Sequence, residues 1–174
     1  VTLIESSIES HYIMAQQVIE KCLPYSGNSI RLGITGVPGA GKSTLIDALG
    51  MDIVRGGKRL AVLAIDPSSS ITKGSILGDK TRMEQLSMVD FFLLIQLAGT
   101  GDELQGIKRG IMEMADGIAI NKADGSNIDK ANIAKSHFTN ALHLFPMPQS
   151  GWAPKVQTCS AYEHIDLDKL WQMV

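Results

Sequence analysis

The nine residues GVPGAGKST, positions 36–44, constrain this chain more than any other feature. They fit G-x-x-x-x-G-K-[ST] in full, with Gly36, Gly41, Lys42 and Ser43 in the fixed positions. The apolar run IRLGIT precedes them and STLIDALGMDIVR, with helical apolar spacing, follows. A strand, a glycine loop and a helix in that order make a cradle for phosphate. Glycines let backbone N–H groups turn inward, and the helix aims its positive end at the same anion. Val37, Pro38, Gly39, Ala40 and Thr44 complete the loop. Lys42, expected to face solvent, reaches the β- and γ-phosphates as the catalytic cation. The Ser43 hydroxyl is a ligand for Mg²⁺. The phosphate therefore belongs to a nucleoside di- or triphosphate.

The rest of the chain fits an α/β reading. Buried strands are expected at 30–35, 59–66, 91–97, 117–121 and 155–160. Helices are expected at 43–55, 79–86, 102–115 and 133–145, with a last one in IDLDKLWQMV. Strands apolar throughout, alternating with helices, describe a mostly parallel sheet with helices on both faces, a three-layer sandwich. An N-terminal helical segment, 1–28, precedes the main domain, 29–174. Its Ile4, Ile8, Ala15, Ile19 and Cys22 share one helical face. Trp152, in the loop PMPQSGWAP, is expected to pack against the body.

Composition removes several classes. The net charge is −2, from 16 basic and 18 acidic residues, so neither a nucleic-acid surface nor an anionic membrane is indicated. No apolar run approaches the roughly 18 residues that span a bilayer. Cys22 and Cys159 lie far apart without metal spacing and read as reduced, mostly buried thiols. No signal peptide is visible, although Val1 leaves room for a removed targeting segment.

The base is indicated by NKAD, 121–124, at the end of an apolar strand. A carboxylate at Asp124 accepts from N1–H and the 2-amino group of guanine, donors that adenine lacks on that edge. Asn121 and the Lys122 stem brace and cover the base. The other reading of Asp124 is a helix-capping turn before Gly125. TCSA, 158–161, also ends a strand, and backbone N–H groups at Ser160 and Ala161 are placed to touch the guanine oxygen. Together these favour GTP and GDP over adenine nucleotides. Asp66 and Asp79, in AIDPSSSITKGSILGDKTRM, are candidates to hold Mg²⁺, directly or through water. Otherwise Asp66 is a turn former before Pro67 and Asp79 a helix cap.

Three stretches carry a more specific resemblance: GITGVPGAGKSTLIDALG, VLAIDPSSS with GSILGDKTRME, and AGTGDELQGIKRGIMEMADGIAINKADG. The chain resembles the P-loop GTPases associated with methylmalonyl-CoA mutase, also catalogued as arginine/ornithine (LAO/AO) transport ATPases or kinases. The resemblance runs from about Ile4 to Trp171. It implies a P-loop NTPase fold and a slow, homodimeric GTPase that uses Mg²⁺. Such a protein gates cofactor loading and protects an adenosylcobalamin-dependent acyl-CoA mutase. It implies a bacterial cytoplasm, or a mitochondrial matrix in a eukaryote, the former being favoured. The family's C-terminal helical dimerisation arm has no counterpart before Val174.

One part of the pattern is missing. A GTPase needs a second switch, an acid after an apolar strand and then a glycine. FFLLIQLAG has no acid before Gly99, and EQLS runs straight into MVDFF. A parallel crossover takes about a dozen residues or more. Either the catalytic switch is lost, or a segment is missing at Ser87–Met88, and the second reading is preferred because switches are order–disorder elements. SAYEHIDLDKL also lacks the glycine expected before the last helix. A metabolic or transport-associated kinase and a non-hydrolysing guanine-nucleotide module are the alternatives. The four histidines, His11, His137, His143 and His164, are scattered and supply no general base.

Overall fold

The computed structural model describes residues 6–64, 88–98, 109–146 and 151–174. Two compact units divide the chain, Val1–Ile30 and Arg31–Val174. The first holds helix α1, Glu9–Cys22, and a short 3-10 turn, Leu23–Tyr25. Of the face expected to be buried, Ala15 is buried, Ile8, Ile19 and Cys22 are exposed, and Ile4 lies outside the described residues. Tyr12, Ile13, Met14 and Val18 are exposed as well, so apolar side chains surround the helix. A lone helix has no second layer of its own against which to bury them.

The second unit is built on a four-stranded parallel sheet in the order β1 (Leu32–Gly36), β2 (Phe91–Leu97), β3 (Gly117–Asn121) and β4 (Lys155–Thr158). Helix α2 is Lys42–Arg55, α3 Arg109–Met114, α4 Ile128–Leu142 and α5 Leu167–Trp171. Side chains alternate between the two faces along each strand. Leu93, Ile95 and Ala119 join Leu45 and Ala48 of α2 and Leu167 and Leu170 of α5 in one core. Leu94, Ile118 and Ile120 join Met112 of α3 and Ala131, Ala134 and Phe138 of α4 in the other. The three-layer α/β architecture follows from that alternation. The sheet's middle strands are apolar at nearly every position, Gln96 and Asn121 excepted, because both faces are covered.

The expected strand at 59–66 does not form over its described residues. Residues 59–64 have no strand structure, and Leu60, Val62 and Leu63 are exposed. The physical reason is pairing: a strand exists by hydrogen bonding to a neighbour, and β1 pairs with β2 alone among the described residues. The described sheet therefore has four strands, where the sequence suggested five. Helix α4 begins at Ile128, five residues before the expected start, because Ala131, Ala134 and Phe138 continue the buried spacing. The helix expected at 79–86 and the Ser87–Met88 junction lie outside the described residues.

Two contacts pin the edge of this body. Trp152 meets Phe91 edge-on at 6.2 Å between ring centroids, and its Nε1–H donates to the Asp116 carbonyl at 2.9 Å. The expected packing of this loop residue is thus found. At the entry to β1, the Arg31 backbone N–H and Nε donate to Asp90 Oδ2 at 2.8 and 3.1 Å, and Nη2 donates to Oδ1 at 2.7 Å. These bonds hold the Asp90 carboxyl down at about 2, below its ordinary value near 3.8. A depressed carboxyl stabilises the fold above its unfolded-state value and loses that contribution as pH falls through its folded value. The stability gap between the native chain and Asp90→Asn is therefore expected to be constant above about pH 5 and to shrink steadily towards pH 2. Urea unfolding across that range checks it; a gap independent of pH overturns the assignment.

Candidate nucleotide site

The carboxyl ends of β1, β3 and β4 bring three loops together, where ligands sit in open α/β sheets. The first is the loop between β1 and α2. Two of its glycines are required by packing. A Cβ on Gly36 would lie 2.3 Å from the Ile95 carbonyl oxygen of β2. Gly41 precedes α2 at φ +83°, and a Cβ there would lie 2.6 Å from Asn121 Nδ2. Pro38, Gly39, Ser43 and Thr44 are exposed, whereas Ala40 is buried. Lys42 is half-buried rather than solvent-facing, because its ammonium donates to the Gly36 and Val37 carbonyls at 3.0 and 3.1 Å. The loop thus carries its own cation, folded across the N-terminus of α2.

The second loop leaves β3 at Asn121. This side chain is almost fully buried and uses both ends of its carboxamide. Nδ2 donates to the Ala40 carbonyl at 2.8 Å, and Oδ1 accepts from the Ala161 N–H at 3.1 Å. Cys159, buried behind it, directs its thiol at the same Oδ1 across 3.8 Å. Burial pushes the Cys159 thiol up to about 12, so it stays protonated. One amide therefore joins the phosphate loop, the NKAD loop and the TCSA loop.

Lys122 follows with φ +60°, a left-handed conformation held by Asn127 Nδ2 donating to its carbonyl at 2.7 Å. Asp124 makes no side-chain cap to the turn after it, which removes the capping alternative. Its carboxylate instead accepts from the Ser160 hydroxyl, whose oxygen accepts from the Glu163 N–H at 3.0 Å. That hydroxyl orients Asp124 while leaving the second carboxylate oxygen available.

The third loop corrects one expectation. The N–H groups of Ser160 and Ala161 are already committed, to the Ile165 carbonyl at 3.0 Å and to Asn121 Oδ1. Their role is to hold loops together, so neither is placed to meet a base oxygen. The glycine missed in SAYEHIDLDKL is replaced by strain: His164 and Asp166 adopt φ +54° and +58°. Asp166 is held there by Lys169 at 2.6 Å and Gln157 at 3.3 Å.

Between the loops lies a cleft of about 290 Å³ lined by Gly41, Thr44, Asn121, Lys122, Asp124, Ala161 and Tyr162. Phosphate-loop and base-loop residues share its wall. Tyr162 was not anticipated, since a single aromatic after a serine and an alanine is no recognisable pattern. None of the four histidines lines the cleft. Asp66 and Asp79 lie outside the described residues. Among the described residues no cluster of three His, Cys, Asp or Glu is suited to holding a metal alone. The exposed Ser43 hydroxyl suits Mg²⁺ that takes most of its oxygens from phosphate and water.

A family described as "Methylmalonyl Co-A mutase-associated GTPase MeaB" matches residues 1–88 and 86–174, two pieces that meet at the Ser87–Met88 junction. The chain is similar to GTPase ArgK of Escherichia coli (strain K12), 38% identical over 227 residues, covering 99% of this chain and 69% of that protein. That span exceeds the 174 residues here, so the relative carries residues without a counterpart. The chain is also 32% identical to the methylmalonic aciduria type A homolog, mitochondrial, of Mus musculus, covering 98% of this chain and 57% of that one. A solved structure titled as an LAO/AO transport system kinase superposes with a TM-score of 0.82 at 35% identity, covering 98% of this chain and 66% of the other.

Asn121→Ala tests the clasp. The variant leaves the Ala40 carbonyl and the Ala161 N–H without their partner, at about 1–3 kcal/mol for each buried group. A loss of about 2–4 kcal/mol in urea unfolding is expected. A loss below about 1 kcal/mol means that the three loops are held by other means.

Proposed function

We infer the function from one premise: the chain belongs to the family of methylmalonyl-CoA mutase-associated GTPases. It is a P-loop GTPase that binds guanine nucleotide. Beyond that, the reading proposed here is a GTP-dependent chaperone that gates cofactor loading and protects an adenosylcobalamin-dependent acyl-CoA mutase. The observation that carries the nucleotide site is the clasp at Asn121, which sets Asp124 and the phosphate loop on one cleft. The family's printed association with the mutase, and the relative named for methylmalonic aciduria, support the partner. The chain spans about two thirds of ArgK's length, so a homodimer of the whole protein belongs to the proposal as well. So does the compartment, a bacterial cytoplasm or a mitochondrial matrix. Among the described residues no helix is long and apolar enough to cross a membrane.

The residues divide the work. Backbone N–H groups at the start of α2 bind the phosphates, and Lys42 exchanges its two carbonyl partners for phosphate oxygens. Ser43 would hold a Mg²⁺ ion, which would supply positive charge beside the phosphates. Asp66 and Asp79 are proposed to complete its shell. Asp124, oriented by Ser160, accepts from the guanine edge, and Ala161 packs beside Asn121. Asp124 is the only carboxylate among the described residues lining the cleft. It serves the base, so no described acid aligns the attacking water. Slow intrinsic turnover, sensitive to the partner, belongs to the proposal.

Three measurements test this reading. Lys42→Ala is expected to abolish triphosphate binding or turnover while the circular dichroism spectrum persists. Normal hydrolysis by that variant means the phosphate sits elsewhere. Asp124→Asn is expected to weaken GDP binding by at least about tenfold and to favour xanthine nucleotides, whose second carbonyl accepts from the new amide. Unchanged GDP affinity in calorimetry removes Asp124 from the base site. Single-turnover hydrolysis of γ-labelled GTP, with and without an acyl-CoA mutase, separates the chaperone from the kinase suggested by the neighbour's title. Release of label as phosphate, accelerated by the mutase, is expected. Transfer of label to another molecule establishes the kinase.

A further inference from the structure

The cleft leaves one question that its polar residues do not answer. A carboxylate at Asp124 reads the edge of a purine, but the two faces of the ring still need cover. Two side chains in the wall have the size and exposure to provide it. One is the Lys122 stem, set by the left-handed turn at that residue. The other is the Tyr162 ring, which is 81% exposed although it lines the cleft. Its position is built rather than incidental. Ala161, immediately before it, is tied to Asn121 Oδ1 and is buried, and Glu163, immediately after it, is tied to the Ser160 hydroxyl. The Ser160–Ile165 bridge closes the loop behind it. Of the exposed residues in that stretch, Tyr162 is the one that lines the cleft, on a loop clamped to the Asp124 carboxylate.

We propose that Tyr162 is the stacking platform for the purine, covering one face of the ring while Asp124 reads its edge. The proposal rests on the nucleotide reading above and adds a separable part to it. Stacking on an aromatic face tolerates any base because every base has a π-face. Edge recognition does not. Tyr162 therefore supplies affinity without discrimination, and Asp124 supplies discrimination. The phenol is largely in water, so its truncation opens no core cavity.

The test is calorimetry with GDP and with inosine diphosphate, which lacks the 2-amino group. The full chain is compared with Tyr162→Ala, Tyr162→Phe and Asp124→Asn. Tyr162→Ala is expected to weaken both nucleotides by the same factor, roughly 5- to 150-fold by the usual worth of a base–aromatic stack, leaving their ratio unchanged. Tyr162→Phe is expected to stay within about twofold of the native chain, since the ring and not the hydroxyl does the stacking. Equal affinity in native and Tyr162→Ala chains overturns the proposal. So does a Tyr162→Ala loss confined to GDP, or a Tyr162→Phe loss as large as that of alanine. If Asp124→Asn shifts the nucleotide preference while Tyr162→Ala changes nothing, the stacking role fails and the guanine site stands. If the native chain binds neither nucleotide, both fail together.

Discussion

The nucleotide end of this molecule depends on one buried carboxamide. Asn121 sits at the last position of β3 and spends its donor on Ala40 and its acceptor on Ala161. Both partners belong to other loops, far away in sequence. Asparagine alone offers a donor and an acceptor at that reach, so aspartate would lose the bond to the Ala40 carbonyl. The geometry propagates in two directions. Towards the phosphates it sets the loop so tightly that Gly41 cannot carry a Cβ. Towards the base it fixes Ala161, and with it the neighbouring Ser160, which orients Asp124. The phosphate-type loop and the loop carrying Asp124 are thereby coupled through one buried group.

A second constraint comes from the sheet's edge. β1 is paired on one flank only among the described residues, and the run Leu60–Leu63, which reads as a strand, stands exposed and unpaired. An apolar sequence supplies the propensity for a strand, but the ladder needs a neighbour. The family match comes in two pieces, 1–88 and 86–174, that divide between the exposed run and β2.

Legibility in the sequence followed the range of the interactions concerned. β2 and β3 could be read to the residue because each is a short, mostly apolar run, with Asp90 before the one and Asp116 before the other. The strand–loop–helix unit around Lys42 was legible because its glycines are set by local backbone demands. The start of α4 was misread because its first buried contact, Ala131, is a small residue that carries little apolar signal. The commitment of the Ser160 and Ala161 N–H groups was invisible, since their partners, Ile165 and Asn121, are chosen by tertiary packing. Tyr162 was invisible for a related reason: only a clamped loop turns an exposed aromatic into part of a wall.

The clamp itself explains why the missing glycine does not disable the last loop. Non-glycine residues in left-handed conformations cost of order 1 kcal/mol or more each. His164 and Asp166 both carry that cost within three residues. Offsetting bonds are concentrated there, with Lys169 and Gln157 on the Asp166 carboxylate and the paired Ser160–Ile165 bridge between them. Asp166 also precedes α5, whose Leu167 and Leu170 are buried in the core beneath α2 and the sheet. The strained turn therefore links the helix anchor at one end to Ser160, which orients Asp124, at the other. A glycine pair would relax the turn and lengthen its range of motion. The strained residues instead hold Ser160, and so Asp124, in one position, and under the proposed function a carboxylate set beforehand selects guanine rather than adapting to what enters.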